Sequence, residues 1–333
     1  MIVARAPLRI SLAGGGSDLP SFYKQSIGQV FSFTIDKYVY IACHEQFLGG
    51  IRLSYSKTEN VKKIEDIEHP LIREVMKLIN FNESIEIGSY ADVPGNGTGL
   101  GSSSAFCVAL LTALNAYKQI KIGPLYLAKT ASEIEIIKCN EPIGKQDQFA
   151  TSFGGINHFI FNPNEDVLIE RHFNKNISSF LENSILLFYL GSGRESSQIL
   201  KAQNDAMVKN STEFNSVKKI SDKVPEMISA VKNMDIFKVS DLINESWENK
   251  KNLNKKISND LIENAIMHAK FNGALAAKVL GAGGGGFLMV TVEQHKRNSF
   301  LKNFCEFKNL SFKISEFGAQ VVYDDESINK FKI

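Results

Sequence analysis

The sequence reads Pro94-Gly95-Asn96-Gly97-Thr98-Gly99-Leu100-Gly101-Ser102-Ser103-Ser104-Ala105 between an alternating run, Ile85–Val93, and a longer apolar run, Ala105–Tyr117. This order predicts a strand, a glycine-rich loop and a helix. Glycine lets a backbone approach a ligand closely, and serine hydroxyls cap free N–H groups at a helix start. Because such a helix start attracts phosphate, the stretch predicts a phosphate-binding loop. A plain glycine-rich turn before a capped helix is the alternative.

Two other phosphate-binding motifs do not fit the chain. A P-loop requires Gly-x-x-x-x-Gly-Lys-Ser/Thr, which does not occur in the sequence. Gly-x-Gly-x-x-Gly does occur, at Gly281, Gly283 and Gly286. We interpret Leu261–Leu280 before it as helical and Phe287–Val292 after it as a strand. A dinucleotide site needs the opposite order, so the sequence argues against a Rossmann domain.

The composition is that of a globular protein with one large or two medium domains. The chain has 333 residues, of which 44% are hydrophobic and 22% charged. Its net charge of +2 gives no reason to expect nucleic acid or a membrane as a partner. The lysine-rich segment Asn249–Lys256 is interpreted as the solvated face of a helix. Four cysteines without paired spacing, and no signal peptide or membrane-spanning run, predict a cytoplasmic protein.

Periodicity and composition predict the domain organisation. Ile2–Ala6 and Leu8–Ala13 are predicted as two short strands, broken by the proline between them. From residue 196 to about 268 the pattern is helical with polar faces. The composition changes near residue 180, from strand-rich with glycine loops to long helices. We therefore predict one domain over residues 1–180 and a second over 181–333.

Three glycine loops lie far apart in the sequence, at Gly14–Gly16, Gly95–Gly101 and Gly281–Gly286. One such loop is a weak indication of a ligand. Three in one chain suggest that their backbones converge on a single bulky anion, and three independent turns are the alternative.

The chain contains the side chains that phosphoryl transfer needs, which serve positioning, charge neutralisation and metal binding. Serine hydroxyls of the phosphate loop could reach Mg²⁺, which prefers oxygen ligands, together with Glu133 or Glu135. Asp147 could orient and deprotonate a hydroxyl, and Arg9 could neutralise charge beside the first glycine loop. The alternatives are solvent-facing glutamates, a turn or cap aspartate, and a surface arginine.

The histidines show no spacing typical of metal ligands, and each is interpreted as a surface or core residue. They are His44, His69, His158, His172, His268 and His295.

Three segments together resemble the motifs of the GHMP small-molecule kinases, which include galactokinases, homoserine kinases and mevalonate kinases. The sequence of the first motif is similar to that found in the sugar-kinase branch that acts on D-glycero-D-manno-heptose 7-phosphate. The segments are Ala6-Pro7-Leu8-Arg9-Ile10 leading into Gly14-Gly15-Gly16-Ser17-Asp18-Leu19-Pro20, then Gly99-Leu100-Gly101-Ser102-Ser103-Ser104-Ala105, and Gly281-Ala282-Gly283-Gly284-Gly285-Gly286-Phe287.

The resemblance implies an α+β fold, with an N-terminal domain like ribosomal protein S5 domain 2 and a ferredoxin-like C-terminal domain. It implies an ATP- and Mg²⁺-dependent kinase that converts D-glycero-D-manno-heptose 7-phosphate to the 1,7-bisphosphate, in nucleotide-activated heptose biosynthesis. Its partners would be the sugar phosphate and ATP, with a homodimer as a possible assembly. An anomeric kinase for fucose or galactose, and a non-catalytic sugar-binding regulator, are the alternatives.

The resemblance also implies residue roles. Asp147 matches the catalytic aspartate and Arg9 its basic partner, while Ser103 and Glu135 match the metal ligands and Glu133 does not. Arg194 is a further candidate for the pocket. The ATP-binding residues would be Gly97, Thr98, Gly99, Leu100, Gly101, Ser102, Ser103 and Ser104, and the substrate-binding residues Gly15, Gly16, Ser17, Asp18, Gly283, Gly284 and Gly285.

Overall fold

The chain forms two β-sheets with helices packed against them. The computed structural model describes residues 1–95, 97–191 and 196–325. The strands are β1 Ile2–Ala13, β2 Gly28–Glu45, β3 Ile51–Ser54, β4 Thr58–Val61, β5 Ile85–Ala91, β6 Ile156–Phe161, β7 Val167–Arg171, β8 Ile185–Tyr189, β9 Ala276–Val279, β10 Phe287–Thr291, β11 Lys308–Asn309 and β12 Gln320–Asp324. The helices are α1 Pro20–Tyr23, α2 Pro70–Leu78, α3 Ser102–Tyr117, α4 Pro124–Ser132, α5 Gln146–Phe153, α6 Lys175–Ser184, α7 Ser196–Asp205, α8 Thr212–Asp222, α9 Val224–Lys232, α10 Ile236–Lys251, α11 Asp260–Phe271 and α12 Arg297–Asn303.

The larger sheet has eight strands and is organised around β2, which is 18 residues long. β1 pairs antiparallel along one side of β2, and β5 and β6 pair with different parts of its other side. β7 extends the sheet beyond β6, and β3 and β4 extend it beyond β5. β12 pairs with β1, so the last described strand returns to the sheet that begins the chain.

The proline in the first strand does not break it, contrary to the prediction. β1 is continuous, and its register on β2 shifts between Pro7, which lies opposite Tyr38, and Leu8, which lies opposite Ile35. Proline cannot donate a ladder hydrogen bond. The shift of the partner strand accommodates this missing donor, so Arg9 keeps its place on the strand that leads to the first glycine loop.

The smaller sheet has the strand order β11-β8-β10-β9, and all its pairs are antiparallel. The prediction of one helical run over Leu261–Leu280 is wrong in its second half, because α11 ends at Phe271 and β9 follows. The Gly281–Gly286 loop therefore joins two antiparallel strands. Since a strand and not a helix follows this loop, the argument against a dinucleotide site still holds.

The helices connect the two sheets to a common core. α3 packs against β1 and β2, while α8 and α9, from late in the chain, also pack against β2. α10 and α11 pack on β9. The division into domains at residue 180 stays a prediction; α6 spans this position, and β8 begins the smaller sheet directly after it. Among the described residues, no helix is both long enough and apolar enough to cross a membrane.

Candidate active site

A cleft of about 570 Å³ is lined by residues of all three glycine loops, which converge here as the sequence predicts. Gly15 and Gly16 come from the loop after β1, Gly97, Gly99 and Gly101 from the loop before α3, and Gly281 from the loop between β9 and β10. Because the three loops come from both sheets, the cleft exists only in the folded chain.

The second and third loops contact each other through their backbones. The carbonyl of Thr98 accepts a hydrogen bond from the N–H of Phe287 at 3.1 Å. Gly99 has a φ of +75°, and a Cβ on Gly281 would lie 2.5 Å from the Gly99 Cα. A contact this close leaves no room for a side chain, which is why glycine is required at both positions.

Arg9 and Asp147 form an ion pair in the lining of the cleft. Arg9 Nε donates to Asp147 Oδ1 at 2.7 Å, and Nη2 donates to Oδ2 at 2.8 Å, so the pair is bidentate. The remaining guanidinium nitrogen, Nη1, donates to the carbonyl of Gly99 at 2.5 Å. The side chain of Arg9 is only 4% exposed and that of Asp147 is 23% exposed. The carboxylate is therefore held in one orientation beside the phosphate loop yet stays open to the cleft.

A second buried carboxylate, that of Glu135, accepts three hydrogen bonds. Ser103 Oγ donates to Oε1 at 2.8 Å, Ser104 Oγ to Oε2 at 2.7 Å, and Gln148 Nε2 to Oε2 at 2.6 Å. The pKa of Glu135 is raised to about 7, because burial, together with the charge of Asp147, outweighs the effect of these hydrogen bonds. Glu133, the alternative, is exposed.

The prediction that the serines cap the helix is wrong. Gly101 is the N-cap residue of α3, with a φ of +75°, and no side chain caps the helix. Two of the three hydroxyls bind Glu135 instead, and that of Ser102 lies 3.0 Å from Thr98 Oγ1.

The chain from Glu133 to Lys138, which carries Glu135, forms a π-helical turn directly after α4. Such turns are often found at functional sites.

Asp18 ties the first glycine loop to the segment that carries Asp147. Its Oδ1 accepts from Gly16 N at 3.1 Å and from Gln146 Nε2 at 2.9 Å, and its Oδ2 accepts from Gln146 N at 3.1 Å. Burial, and then the charge of Asp147, raises the pKa of Asp18 to about 6. Asp18 lines the cleft, so it can contact a ligand as well as hold the loop.

Two lysines of the second half of the chain also line the cleft. Lys278 is buried and donates to the carbonyl of Leu12 at 2.7 Å, while Lys250 donates to the carbonyl of Gly281. Burial lowers the pKa of Lys278 to about 7 and that of Lys250 to about 8, and the nearby cations add to both effects. A bound anion would relieve this unfavourable burial of positive charge.

Comparison with known protein families identifies the same family that the sequence motifs resemble. The family model described as "GHMP kinases N terminal domain" matches residues 70–155, and that described as "GHMP kinases C terminal" matches residues 227–309. The chain belongs to the GHMP kinase family. It is therefore a phosphotransferase that acts on an alcohol group with ATP as co-substrate, and its two-domain GHMP kinase fold confirms the predicted fold class.

Several named relatives are similar over most of this GHMP kinase. D-glycero-alpha-D-manno-heptose 7-phosphate kinase of Campylobacter jejuni is 29% identical over 316 residues, which cover 90% of the chain and 92% of the relative. A galactokinase of Pyrococcus furiosus is 26% identical and covers 89% of the chain and 90% of the relative. The crystal structure of a D-glycero-D-manno-heptose 1-phosphate kinase from Bacteroides thetaiotaomicron has a TM-score of 0.79 at 26% identity and covers 97% of the chain and 100% of that structure.

Not all residues predicted for the site of this GHMP kinase line the cleft. Ser17 is buried beside it and donates to the carbonyls of Gly14 and Gln29, both at 2.8 Å. Leu100 is buried in the core. Gly283, Gly284 and Gly285 are not among the lining residues, and a Cβ on Gly283 would meet Ile257. Arg194 lies outside the described residues.

Sequence reasoning missed several cleft residues. Asn249–Lys256 was expected to be solvated, but Lys250 is only partly exposed and points to the glycine loop. Lys278 and Trp247 were not identified. The indole Nε1 of Trp247 is buried and has no hydrogen-bond partner in the part of the chain that the structure describes. No local signal marks these side chains, because a helical pattern does not show which lysine meets another element.

Proposed function

We propose that this kinase transfers the terminal phosphoryl group of ATP to the anomeric hydroxyl of D-glycero-D-manno-heptose 7-phosphate, giving the 1,7-bisphosphate for nucleotide-activated heptose. The observation that carries the proposal is the bidentate Arg9–Asp147 pair, which faces a cleft lined by three glycine loops. The similarity to the Campylobacter jejuni kinase supports the choice of sugar.

In this proposal Asp147 accepts the proton of the attacking hydroxyl. An anomeric hydroxyl is more acidic than an ordinary alcohol, so a carboxylate is a sufficient base. Arg9 fixes the carboxylate in one orientation and neutralises charge that develops at the reacting groups. Gly15, Gly16 and Asp18 lie where the sugar would bind, on the side of the cleft formed by the first loop.

The phosphate groups of ATP would bind at the start of α3. The first N–H groups of a helix have no partner within the helix, and α3 begins at Ser102, directly after the glycine loop. The N-terminus of a 16-residue helix also favours negative charge. Gly97, Gly99 and Gly101 leave the approach to these groups free of side chains.

The residues present fit Mg²⁺. Ser103 Oγ and Glu135 Oε1 are hard oxygen donors 2.8 Å apart, which is close to the separation of about 3 Å between neighbouring ligands of Mg²⁺. The pKa of the buried Glu135 carboxyl is raised, so a bound cation would favour its ionised form. When bound, Mg²⁺ would neutralise charge on the ATP phosphates, and Ser103 and Glu135 would hold it.

The lysines support a phosphorylated sugar over a free one. Lys278 donates to the carbonyl of Leu12, two residues before the first glycine loop, so it lies on the sugar side of the proposed arrangement. A 7-phosphate would supply a counter-ion that keeps Lys278 protonated against its lowered pKa, whereas a free sugar would not. The galactokinase relative keeps a free sugar as the second candidate.

The role of Asp147 is tested by Asp147→Asn. The amide cannot accept the proton, so we expect kcat to fall by roughly 10²–10⁴-fold, measured by ADP release and by phosphorus NMR of the product. Binding of a non-hydrolysable ATP analogue, measured by calorimetry, should be retained. Asp166→Asn, at an exposed position, is the matched control. Full turnover in Asp147→Asn would contradict this role.

The choice of sugar is tested by Lys278→Met, which keeps the length of the side chain and removes its charge. We expect KM for heptose 7-phosphate to rise roughly 10- to 100-fold, the range for one charged hydrogen bond, with little change in KM for ATP. Lys270→Met, on the exposed side of α11, should match the wild type. Two results would refute the 7-phosphate proposal. One is a wild-type enzyme with equal kcat/KM for galactose or fucose and for the phosphosugar, and the other is a Lys278→Met variant in which only KM for ATP rises.

A further inference from the structure

The β6–β7 hairpin brings together two histidines and a glutamate that the sequence reasoning treated as unrelated. His158 on β6 lies directly opposite Glu170 on β7. His172 follows β7, and its backbone N–H donates to the carbonyl of Ile156 at 2.8 Å. The spacing of the histidines in the sequence does not predict this group, because strand pairing and not sequence spacing places the residues together.

The three side chains direct their ligand atoms to one point. His158 Nδ1 lies 3.0 Å from Glu170 Oε2, and His172 Nε2 lies 3.8 Å from the same oxygen. All three ligand atoms lie within 4.8 Å of one another. None of the three residues lines the active-site cleft.

His172 supplies an independent indication of a missing ligand. Its Nε2 is buried and has no hydrogen-bond partner among the residues that the structure describes, although Glu170 is nearby. A buried polar nitrogen without a partner is unfavourable. Lys232 lies near enough to act electrostatically on His172. Lys232 opposes a bound cation, whereas Glu170 favours one.

His158 is oriented as metal-binding histidines usually are. Its second ring nitrogen, Nε2, lies 3.0 Å from Gln29 Oε1, which fixes the ring while Nδ1 faces the cluster. Gln29 is itself held by Ser17, since its N–H donates to Ser17 Oγ at 2.9 Å. The cluster is thus connected through one side chain to the first glycine loop.

We propose that His158, Glu170 and His172 form a Zn²⁺ site on the β6–β7 hairpin, separate from the Mg²⁺ and ATP site. Two imidazoles and one carboxylate are a ligand set that suits zinc. The side chain of Glu170 is 57% exposed, so a fourth ligand from solvent can complete the site. Bound zinc would join His158 of β6 to Glu170 of β7 and to His172 directly after β7.

The test uses the full chain without an affinity tag, stripped with a chelator and dialysed. Zinc binding is measured by competition with a chromogenic chelator, and Co²⁺ is used as a spectroscopic probe. We expect one Zn²⁺ per chain, visible absorption bands of four-coordinate Co²⁺, and a higher melting temperature with zinc. These effects should disappear in Glu170→Gln and in His172→Ala.

His268→Ala is the matched control, because His268 pairs with Glu306 at 2.7 Å on the surface but belongs to no three-residue group in the described chain. It should bind zinc like the wild type. Circular dichroism of each variant shows whether it is folded, and Glu170→Gln, at a half-exposed position, keeps the test valid if His172→Ala unfolds. No binding by the wild type, or equal binding by Glu170→Gln, would overturn the proposal.

Discussion

Gly144 lies against Asp18 where the first glycine loop meets the segment leading to Asp147. A Cβ on Gly144 would lie 1.9 Å from Asp18 Oδ2 and 2.8 Å from the backbone carbonyl carbon of the same residue. Rotation of the Asp18 side chain relieves only the first contact, so the backbone must move as well. The first glycine loop and the segment leading to Asp147 can approach this closely only because residue 144 has no side chain.

We expect Gly144→Ala to lower the free energy of unfolding by about 1–3 kcal/mol, the usual range for overpacking. It should also lower kcat, because the hydrogen bonds from Gln146 to Asp18 position the start of α5, which carries Asp147. Urea denaturation and steady-state kinetics measure both effects. Gly123→Ala is the control, since no atom lies within 4 Å of its added Cβ. Wild-type stability and activity in Gly144→Ala would show that the two segments are not in close contact.

At the scale of elements, the sequence predicted those whose pattern is local. The alternating apolar run before the glycine loop gave β5, and the long apolar run after it gave α3. The continuous β1 was not predicted, because its proline is accommodated by a register shift on β2. β9 was not predicted either, because its alanines favour helix and only pairing with β10 makes this segment a strand.

For the candidate site, too, the sequence predicted the residues that lie in recognisable motifs and missed the others. The family resemblance predicted Arg9, Asp147, Ser103 and Glu135 as site residues, and the structure places all four within two hydrogen-bonded groups beside the second glycine loop. The lysines of the cleft and the His158 cluster were not identified. Their positions depend on contacts between distant elements, which neither spacing nor composition encodes.

On the scale of the whole molecule, the two halves of the chain bring opposite charges to one cleft. From the first half come Asp18, which lines the cleft, and Glu135, which is fully buried but hydrogen-bonded to the cleft residues Ser103 and Ser104. Burial raises their pKa values to about 6 and 7. Lys250 and Lys278 come from the second half, and burial lowers their pKa values to about 8 and 7. Each group is less favourably charged in the folded chain than in the unfolded chain, as expected of a site whose charges are completed by ligands.

The raised pKa of Glu135 fixes the sign of a pH effect on stability. The folded chain holds this proton up to about pH 7, whereas the unfolded chain releases it near 4.5. The stability that the protonated Glu135 carboxyl contributes is therefore complete below pH 4.5 and is lost as the pH rises through 7.

Glu135→Gln, which stays neutral and keeps the shape of the side chain, should gain stability relative to the wild type between pH 5 and 7, by up to about 3 kcal/mol. Urea denaturation at pH 5, 6 and 7 with a chelator present measures this. Glu133→Gln, two residues earlier and exposed, is the control: its free energy of unfolding should change with pH as that of the wild type does. If the free energy of unfolding of Glu135→Gln also changes with pH as in the wild type, Glu135 is ionised in the folded, ligand-free chain throughout this range and its burial does not raise its pKa.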